Sequence, residues 1–244
     1  MKPDEILKQV ATEVAVCQKC QLHFGRKRAV PGEGPSNAKI MFIGEGPGFY
    51  ENEQGRPFVG AAGKFLEELL ASIGMRREQV FIGNVVKCRP PSNRDPLPEE
   101  IEACGNYLER QIAAIHPQVI VTLGRYSMAK FIPNAKISTV HGQSFQINGR
   151  LVVPMYHPAA ALHQPSLKAD VERDFARLPQ LISKGVEAPA YQDGQGGSSP
   201  EGGSSPEGGS SPEGGPSPEG GPSPERLEPK PAEEKPQAKQ LSLF

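Results

Sequence analysis

Four cysteines are the residues most able to do chemistry in this sequence, because their number and spacing fit a metal site. Cys17 and Cys20 form a Cys-x-x-Cys pair, and 15 residues separate Cys88 from Cys104. Four thiolates can hold either a zinc ion or an iron–sulfur cluster, and zinc is the default interpretation of the spacing alone. The remaining interpretation is four buried, unmodified cysteines. It is the weaker one, because a Cys-x-x-Cys pair plus two more thiols with none to spare is uncommon by chance.

A glycine-rich loop, GEGPG at 44–48, follows an apolar segment and indicates that something approaches the backbone closely there. The loop does not match the dinucleotide fingerprint G-x-G-x-x-G, because Phe49 stands in the place of the third glycine. Glu45 lies in this loop. It could cap a helix, remain solvated or take part in chemistry.

Three further side chains offer groups that suit a planar, polar ligand. Asn84 lies inside an apolar strand, where its amide must find hydrogen bonds or cost roughly 1–3 kcal/mol, and it can read a base edge with both a donor and an acceptor. His157, in Met-Tyr-His-Pro, can donate to an oxygen that gains negative charge. Phe58 is either a core residue or a stacking surface. Together these residues predict a pocket for a nucleobase.

The elements that must position these residues alternate between strand and helix. Continuous apolar runs at 39–44, 80–86 and 118–123 predict buried parallel strands. Helical periodicity predicts helices at 61–73, 98–115 and 167–183, and Asn148-Gly149 predicts a hairpin turn within 143–154. The expected fold is α/β, a three-layer α/β/α sandwich around a central, mainly parallel sheet.

Charge and composition divide the chain into a basic body and an acidic tail. Residues 1–186 carry a formal charge of +5 and residues 187–244 a charge of −6. Basic residues near both cysteine pairs, among them Arg26, Lys87, Arg89 and Arg94, predict a cationic surface for phosphate. With no apolar run long enough to span a membrane and no secretory leader, we expect a cytoplasmic protein without a membrane partner.

The tail repeats one short unit, SSPEGG at 198, 204 and 210, followed by PSPEGG at 216 and PSPE at 222. Proline, glycine and regularly spaced glutamates prevent regular structure and keep such a segment solvated. We therefore expect one domain at 1–187, a disordered linker at 188–239 and a functional motif at 240–244.

Across most of the body the sequence resembles the family 4 uracil-DNA glycosylases. The resemblance is carried by CxxCxLxxxRxxxVxGxG at 17–34, GEGPGxxE at 44–51, GRPFVGxAG at 55–63, NVVKCRPPxNRxP at 84–96 and MYHP at 155–158. It implies an enzyme that hydrolyses the N-glycosidic bond of uracil in DNA by base flipping and so initiates base excision repair. It also implies a structural [4Fe-4S] cluster, rather than zinc, on Cys17, Cys20, Cys88 and Cys104.

The same resemblance implies a role for each pocket residue. Phe58 would stack on uracil, Asn84 would bond its pairing edge, and His157 would donate to a base oxygen as the ring departs. Backbone groups around Gly46 would complete the pocket. Glu45, the acidic residue of the loop, would either position water or exclude the methyl group of thymine.

The last five residues, QLSLF, resemble the pentapeptide that binds the bacterial DNA sliding clamp. Its anchors would be Gln240, Leu241, Leu243 and Phe244. The alternative function that we consider is a non-catalytic, metal-stapled nucleic-acid-binding adaptor that recruits the clamp. In either case we expect a monomer.

Overall fold

The computed structural model describes residues 1–184. The predicted linker at 188–239 and the predicted clamp motif at 240–244 lie outside the described residues. Within residues 1–184, no helix combines the length and the apolar character needed to cross a bilayer.

A five-stranded sheet forms the centre, in the order β2-β1-β3-β5-β4. All neighbouring strands are parallel except β4 and β5, which form an antiparallel hairpin. The strands are β1 Ile40–Gly44, β2 Phe81–Asn84, β3 Val119–Leu123, β4 Phe145–Ile147 and β5 Arg150–Met155.

The hairpin turns at Asn148 and Gly149, both with positive φ, as the Asn-Gly pair predicts. The three predicted parallel strands are confirmed. The second, however, ends at Asn84 rather than at position 86, because the chain turns there into the loop that carries Cys88.

Eight α-helices surround the sheet within residues 1–184. They are α1 Pro3–Val16, α2 Phe49–Gln54, α3 Ala61–Ser72, α4 Pro98–Ile115, α5 Arg125–Ala129, α6 Ile137–Val140, α7 Pro158–His163 and α8 Lys168–Ser183. The predicted helices at 61–73, 98–115 and 167–183 agree with α3, α4 and α8 within one residue. The sequence reasoning did not identify α1, although Pro3 at its first turn and buried Val10 and Val14 on one face are typical helix signals.

Two apolar clusters on opposite faces of the sheet make the fold a three-layer sandwich. Met41 and Ile43 of β1 pack into a cluster with α1 and α4, whereas Phe42 between them packs against α3 and α8. This alternation is the period of two that a strand covered on both faces must have. The predicted three-layer α/β/α sandwich is confirmed.

Candidate active site and cysteine cavity

A cavity of about 430 Å³ opens where the parallel strands end at their carboxyl side. Ligands of open α/β sheets bind at this edge, because the loops leaving neighbouring strands converge there. The structure places all five predicted pocket residues in the lining of this cavity. They are Glu45, Gly46, Phe58, Asn84 and His157.

Phe58 is held in an unusual backbone conformation beside His157. Its φ is +51°, a left-handed value that a bulky residue adopts only when the surroundings enforce it. The ring is 5 % exposed, and its centroid lies 5.4 Å from that of the His157 ring, at an interplanar angle of 22°. The two rings are thus nearly parallel and form one aromatic wall of the cavity.

Two charged side chains fix the loop around Phe58. The Glu51 carboxylate accepts hydrogen bonds from the backbone N–H groups of Val59 at 2.8 Å and Gly60 at 2.9 Å, and from Gly48 at 3.1 Å. From the other side, the Arg77 guanidinium donates to the carbonyl oxygen of Phe58 at 2.9 Å. The sequence reasoning gave Glu51 and Arg77 no role. The available signal for Glu51 was a carboxylate three residues after a glycine at a helix start.

Two glycines provide the space that this arrangement needs. A Cβ atom at Gly63 would lie 1.9 Å from the Phe58 carbonyl oxygen, and one at Gly44 would lie 2.5 Å from Asn84 Oδ1 and 2.7 Å from the Phe58 ring. Real Cβ atoms do not approach so closely, so both positions require glycine.

Asn84 presents a buried amide to the cavity. The residue is 1 % exposed, and its Oδ1 has no hydrogen-bond partner among the described residues. An unpaired buried acceptor costs about 1–3 kcal/mol, so native structures keep one only where something else supplies the donor. The site is therefore prepared for a ligand N–H group at Asn84 Oδ1.

His157 follows β5 and caps the N-terminus of α7. Its Nδ1 accepts the backbone N–H of Ala159 at 3.1 Å, so the ring proton of the neutral imidazole is on Nε2. Desolvation lowers the pKa of His157 to about 4, although the Glu51 carboxylate opposes this shift. At neutral pH the side chain is an uncharged Nε2–H donor.

Glu45 both lines the cavity and interacts with the start of α5. Its Oε1 accepts the backbone N–H of Tyr126 at 3.4 Å, so the helix-capping interpretation agrees with the structure. Burial raises the pKa of Glu45, and nearby Asp95 adds to the rise. A Cβ atom at Gly124 would lie 2.3 Å from Glu45 Oε1, which shows how closely the strand end encloses the carboxyl group.

The position of Gly46 also leaves little room for a side chain. A Cβ atom there would lie 2.8 Å from Cγ2 of Val86. Only glycine lets the loop pass this close to the wall of the cavity.

The four cysteines line a second, smaller cavity between the end of α1, the loop after β2, and α4. None of the four is joined to another described cysteine by a disulfide bond. The backbone N–H of Lys87 donates to Cys104 Sγ at 3.3 Å, and Arg26 donates to Cys88 Sγ at 3.6 Å. Such donors suit thiolate ligands. Among residues 1–184, however, no three His, Cys, Asp or Glu side chains are arranged to hold a single metal ion.

Lys87 connects the two cavities from inside the core. It is 1 % exposed, and its ammonium group donates to the Asn84 carbonyl oxygen at 2.9 Å and to Gln111 Oε1 at 2.7 Å. Burial lowers the pKa of Lys87 to about 8. The expectation that Lys87 belongs to a cationic surface is therefore wrong, because hydrogen bonds to the backbone and to an amide hold it in the interior.

The sequence profile of the Uracil DNA glycosylase superfamily matches residues 31–178, the segment that contains Glu45, Phe58, Asn84 and His157. The chain belongs to the uracil-DNA glycosylase superfamily. Within this superfamily it is similar to proteins named Type-4 uracil-DNA glycosylase.

Three of these superfamily members show how far the likeness extends. The Archaeoglobus fulgidus protein is 50% identical over 190 residues, which are 74% of this chain and 95% of the relative. The Sulfurisphaera tokodaii protein is 50% identical over 185 residues, 72% of this chain and 84% of the relative. The Thermotoga maritima protein is 44% identical over 186 residues, 74% of this chain and 97% of the relative. The family resemblance noted from the motifs is thus confirmed over the body of the chain.

Proposed function

We propose that this chain is a uracil-DNA glycosylase that hydrolyses the N-glycosidic bond of uracil flipped out of DNA, and so initiates base excision repair. The observation that carries the proposal is the buried Asn84 Oδ1 without a protein partner in the cavity lining. Uracil presents an N–H donor at N3 beside the acceptor O4. A carboxamide offers the complementary acceptor and donor.

The cavity walls suit the flipped base. Phe58 supplies a buried ring for stacking, which is worth about 1–3 kcal/mol per base. A base inside the duplex has its glycosidic carbon out of reach, so it must leave the stack at a cost of a few kcal/mol. Stacking on Phe58 and pairing with Asn84 offset that cost.

Bond cleavage depends on charge stabilisation at the departing base. As the C1′–N1 bond breaks, its electron pair moves onto the uracil ring and its O2 oxygen, while water adds its oxygen to C1′. The neutral His157 donates a hydrogen bond from Nε2 to the charged oxygen. The uracil anion then takes up the proton that water releases. Backbone groups at Gly46 border the same space.

Glu45 has two candidate roles at this step, and two variants separate them. If the Glu45 carboxylate positions water, Glu45→Gln lowers the rate of uracil removal and still spares thymine. If its bulk excludes the methyl group of thymine, Glu45→Ala admits thymine and Glu45→Gln does not, because glutamine fills the same volume. The assay is cleavage of matched oligonucleotides that carry uracil or thymine at one position.

The test of the main proposal is conversion of a uracil-containing oligonucleotide into an alkali-labile abasic strand. Asn84→Ala and His157→Gln are each expected to lower the rate about 10²–10³-fold, the usual effect of removing one preorganised donor or acceptor. His163→Gln is the matched control, because this exposed histidine lies outside the cavity. No cleavage by folded wild-type protein would favour the adaptor alternative. Full activity in both pocket variants would remove the residue assignment.

We further propose a [4Fe-4S] cluster on Cys17, Cys20, Cys88 and Cys104. The four cysteines line one cavity, and the Lys87 backbone N–H and the Arg26 guanidinium donate to two of their sulfurs, which suits thiolate ligands. Four thiolates can hold either zinc or a cluster, and the resemblance to the family 4 uracil-DNA glycosylases favours the cluster. When bound, the cluster supplies a structural cross-link between the N-terminal segment, the loop after β2 and α4.

Chemical analysis decides between the two metals. The cluster predicts brown protein with iron and acid-labile sulfide in equal amounts, about four of each per chain. Colourless protein with about one zinc per chain would reject the cluster and keep the cysteine site.

We also propose that the C-terminal QLSLF binds a bacterial sliding clamp through Gln240, Leu241, Leu243 and Phe244, with 188–239 as a flexible tether. Support comes from the large apolar residues that follow a long Pro-, Gly- and Glu-rich segment. Truncation after Lys239 should abolish clamp binding and leave turnover of short oligonucleotides unchanged. Equal clamp affinity after truncation would reject this part. We also propose that the enzyme acts in the cytoplasm and is a monomer, and sedimentation velocity of the full chain tests the monomeric state.

A further inference from the structure

Two exposed aromatic residues lie in the segment that follows the glycine-rich loop of the uracil cavity. Phe49 is 51 % exposed and Tyr50 is 58 % exposed, and both stand at the start of α2. Their ring centroids are 5.4 Å apart, with the rings nearly perpendicular at 85°. Gly48, the residue before Phe49, lines the cavity. Glu51, the residue after Tyr50, lines it as well, so the pair is adjacent in sequence to the cavity lining on both sides.

One arginine contacts Phe49 of this pair and also bonds to a residue of the cavity lining. The Arg89 guanidinium lies over the Phe49 ring, 5.3 Å from its centroid, a cation–π contact. Arg89 Nε also donates to Asn93 Oδ1 at 2.7 Å. Asn93 and Pro90, the next residue after Arg89, both line the cavity. The aromatic surface is thus continuous with the site that holds uracil.

Arg89 differs from the other arginines at this opening in its charge balance. Arg94 is paired with Glu100 at 2.6 Å, and Arg125 is paired with Asp95. Within residues 1–184, no carboxylate lies within ion-pair distance of Arg89. A cation without a carboxylate partner among the described residues, next to exposed rings, is complementary to the phosphate and base of a nucleotide.

We infer that Phe49, Tyr50 and Arg89 form an aromatic platform that binds a nucleotide next to the flipped uracil on the same DNA strand. The base stacks on the face of one exposed ring with the other ring against its edge, and Arg89 faces its phosphate. The inference rests on the proposed function, because it takes uracil-containing DNA as the substrate. It adds a second base-binding position outside the uracil cavity. Stacking of this kind tolerates any base, so the platform adds affinity without sequence preference.

A fluorescent reporter tests the platform without requiring catalysis. The chain contains no tryptophan, so Phe49→Trp creates a single reporter that still stacks. The ligand is a short single-stranded oligonucleotide with 2′-fluoro-2′-deoxyuridine at the centre, which resists cleavage. We expect binding to quench the emission, and replacement of one neighbouring base by an abasic spacer to remove the quenching. The control is Phe24→Trp, an equally single reporter at a residue that is 82 % exposed and does not line the cavity.

Steady-state kinetics provides the second test. Phe49→Ala and Tyr50→Ala are expected to raise KM for single-stranded substrate, together by about 5- to 150-fold, with the loss in KM rather than kcat. Phe24→Ala leaves both constants unchanged. With abasic spacers on both sides of uracil, wild type and platform variants should have the same KM. Arg89→Gln should reduce the slope of log affinity against log salt by about 0.7, the value for one phosphate on a single strand.

The two tests separate failure of the platform from failure of the proposed function. If oligonucleotides with flanking bases quench the tryptophan emission of Phe49→Trp but the wild-type protein releases no uracil, the glycosylase proposal is overturned and the platform is kept. Uracil release with unchanged KM in the alanine variants, or quenching that ignores the abasic spacers, would overturn the platform. A Phe49-dependent dimer in sedimentation would also overturn it, because the rings would then bind a second copy of the chain.

Discussion

The protonation state of His157 gives the sharpest quantitative prediction. Its environment lowers the pKa from 6.5 to about 4, and its Nδ1 is occupied by the Ala159 N–H, so the active form is the neutral Nε2–H donor. At pH 5.5 a pKa of about 4 leaves roughly 97% of the imidazole neutral, whereas the ordinary value would leave roughly 9%. The single-turnover rate of uracil removal should therefore stay nearly constant from pH 7.5 to 5.5.

A tenfold fall in rate over this range, with a midpoint near 6.5, would refute the reasoning about His157. Glu45 must be separated from it, since burial raises the pKa of that carboxyl group. A decline that disappears in Glu45→Gln belongs to Glu45, and one that persists there belongs to His157. Both proteins are measured across the same pH range, with the enzyme in the same excess over substrate.

The lowered pKa of His157 also makes the folded protein less stable at acidic pH. Because the folded pKa of His157 lies below the unfolded one, the unfolded chain binds more protons between pH 6.5 and 4, and stability is lost as pH falls through this window. From pH 7.5 to 5.5 the loss is on the order of 1 kcal/mol. Urea unfolding of wild type and His157→Gln at both pH values checks it. An equal decrease in the two proteins would contradict the lowered pKa.

Three further predictions follow from contacts in the core. Gly63→Ala forces a Cβ atom against the Phe58 carbonyl, so we expect about 1–3 kcal/mol of destabilisation and loss of uracil release, measured by thermal unfolding and the oligonucleotide assay. Gly25→Ala is the matched control and should retain activity, because a Cβ atom added there meets nothing within 4 Å. Lys87→Met leaves Gln111 Oε1 without its buried donor, and we expect a loss of about 1–3 kcal/mol in urea unfolding, with Lys87→Arg as the charge-retaining comparison. Cys104→Ser should remove the visible absorption of the cluster and lower the unfolding temperature, whereas an unchanged melting curve would argue against a structural cluster.

Periodicity and turn chemistry were sufficient to predict most of the framework. The buried strands, the long helices α3, α4 and α8, and the Asn148-Gly149 hairpin depend on local patterns, so their bounds agree with the structure within a few residues. The helix α1 was missed, although its proline start and its Val10–Val14 spacing were visible in the sequence. The short helices α2, α5, α6 and α7 have too few turns to show a period.

The sequence by itself also determined which residues would meet at the cavity. Glu45 follows the first predicted parallel strand, Asn84 lies inside the second, and His157 follows the strand of the predicted hairpin. The structure brings all three to the edge of the sheet where the parallel strands end. Phe58 was assigned through the motif that contains it, because its position on a loop has no periodic signal. The roles proposed for these residues come from their chemistry together with the family to which the chain belongs.

Only the tertiary structure decided how these residues are held and what surrounds them. The bonds of Glu51 to Val59 and Gly60, the burial of Lys87 between the two cavities, and the contact of Arg89 with the Phe49 ring each depend on segments that only the fold brings together. A sequence pattern reports which face of an element is apolar. Hydrogen-bond partners and charge balance depend on which loops come together in space, and that is fixed only when the layers pack.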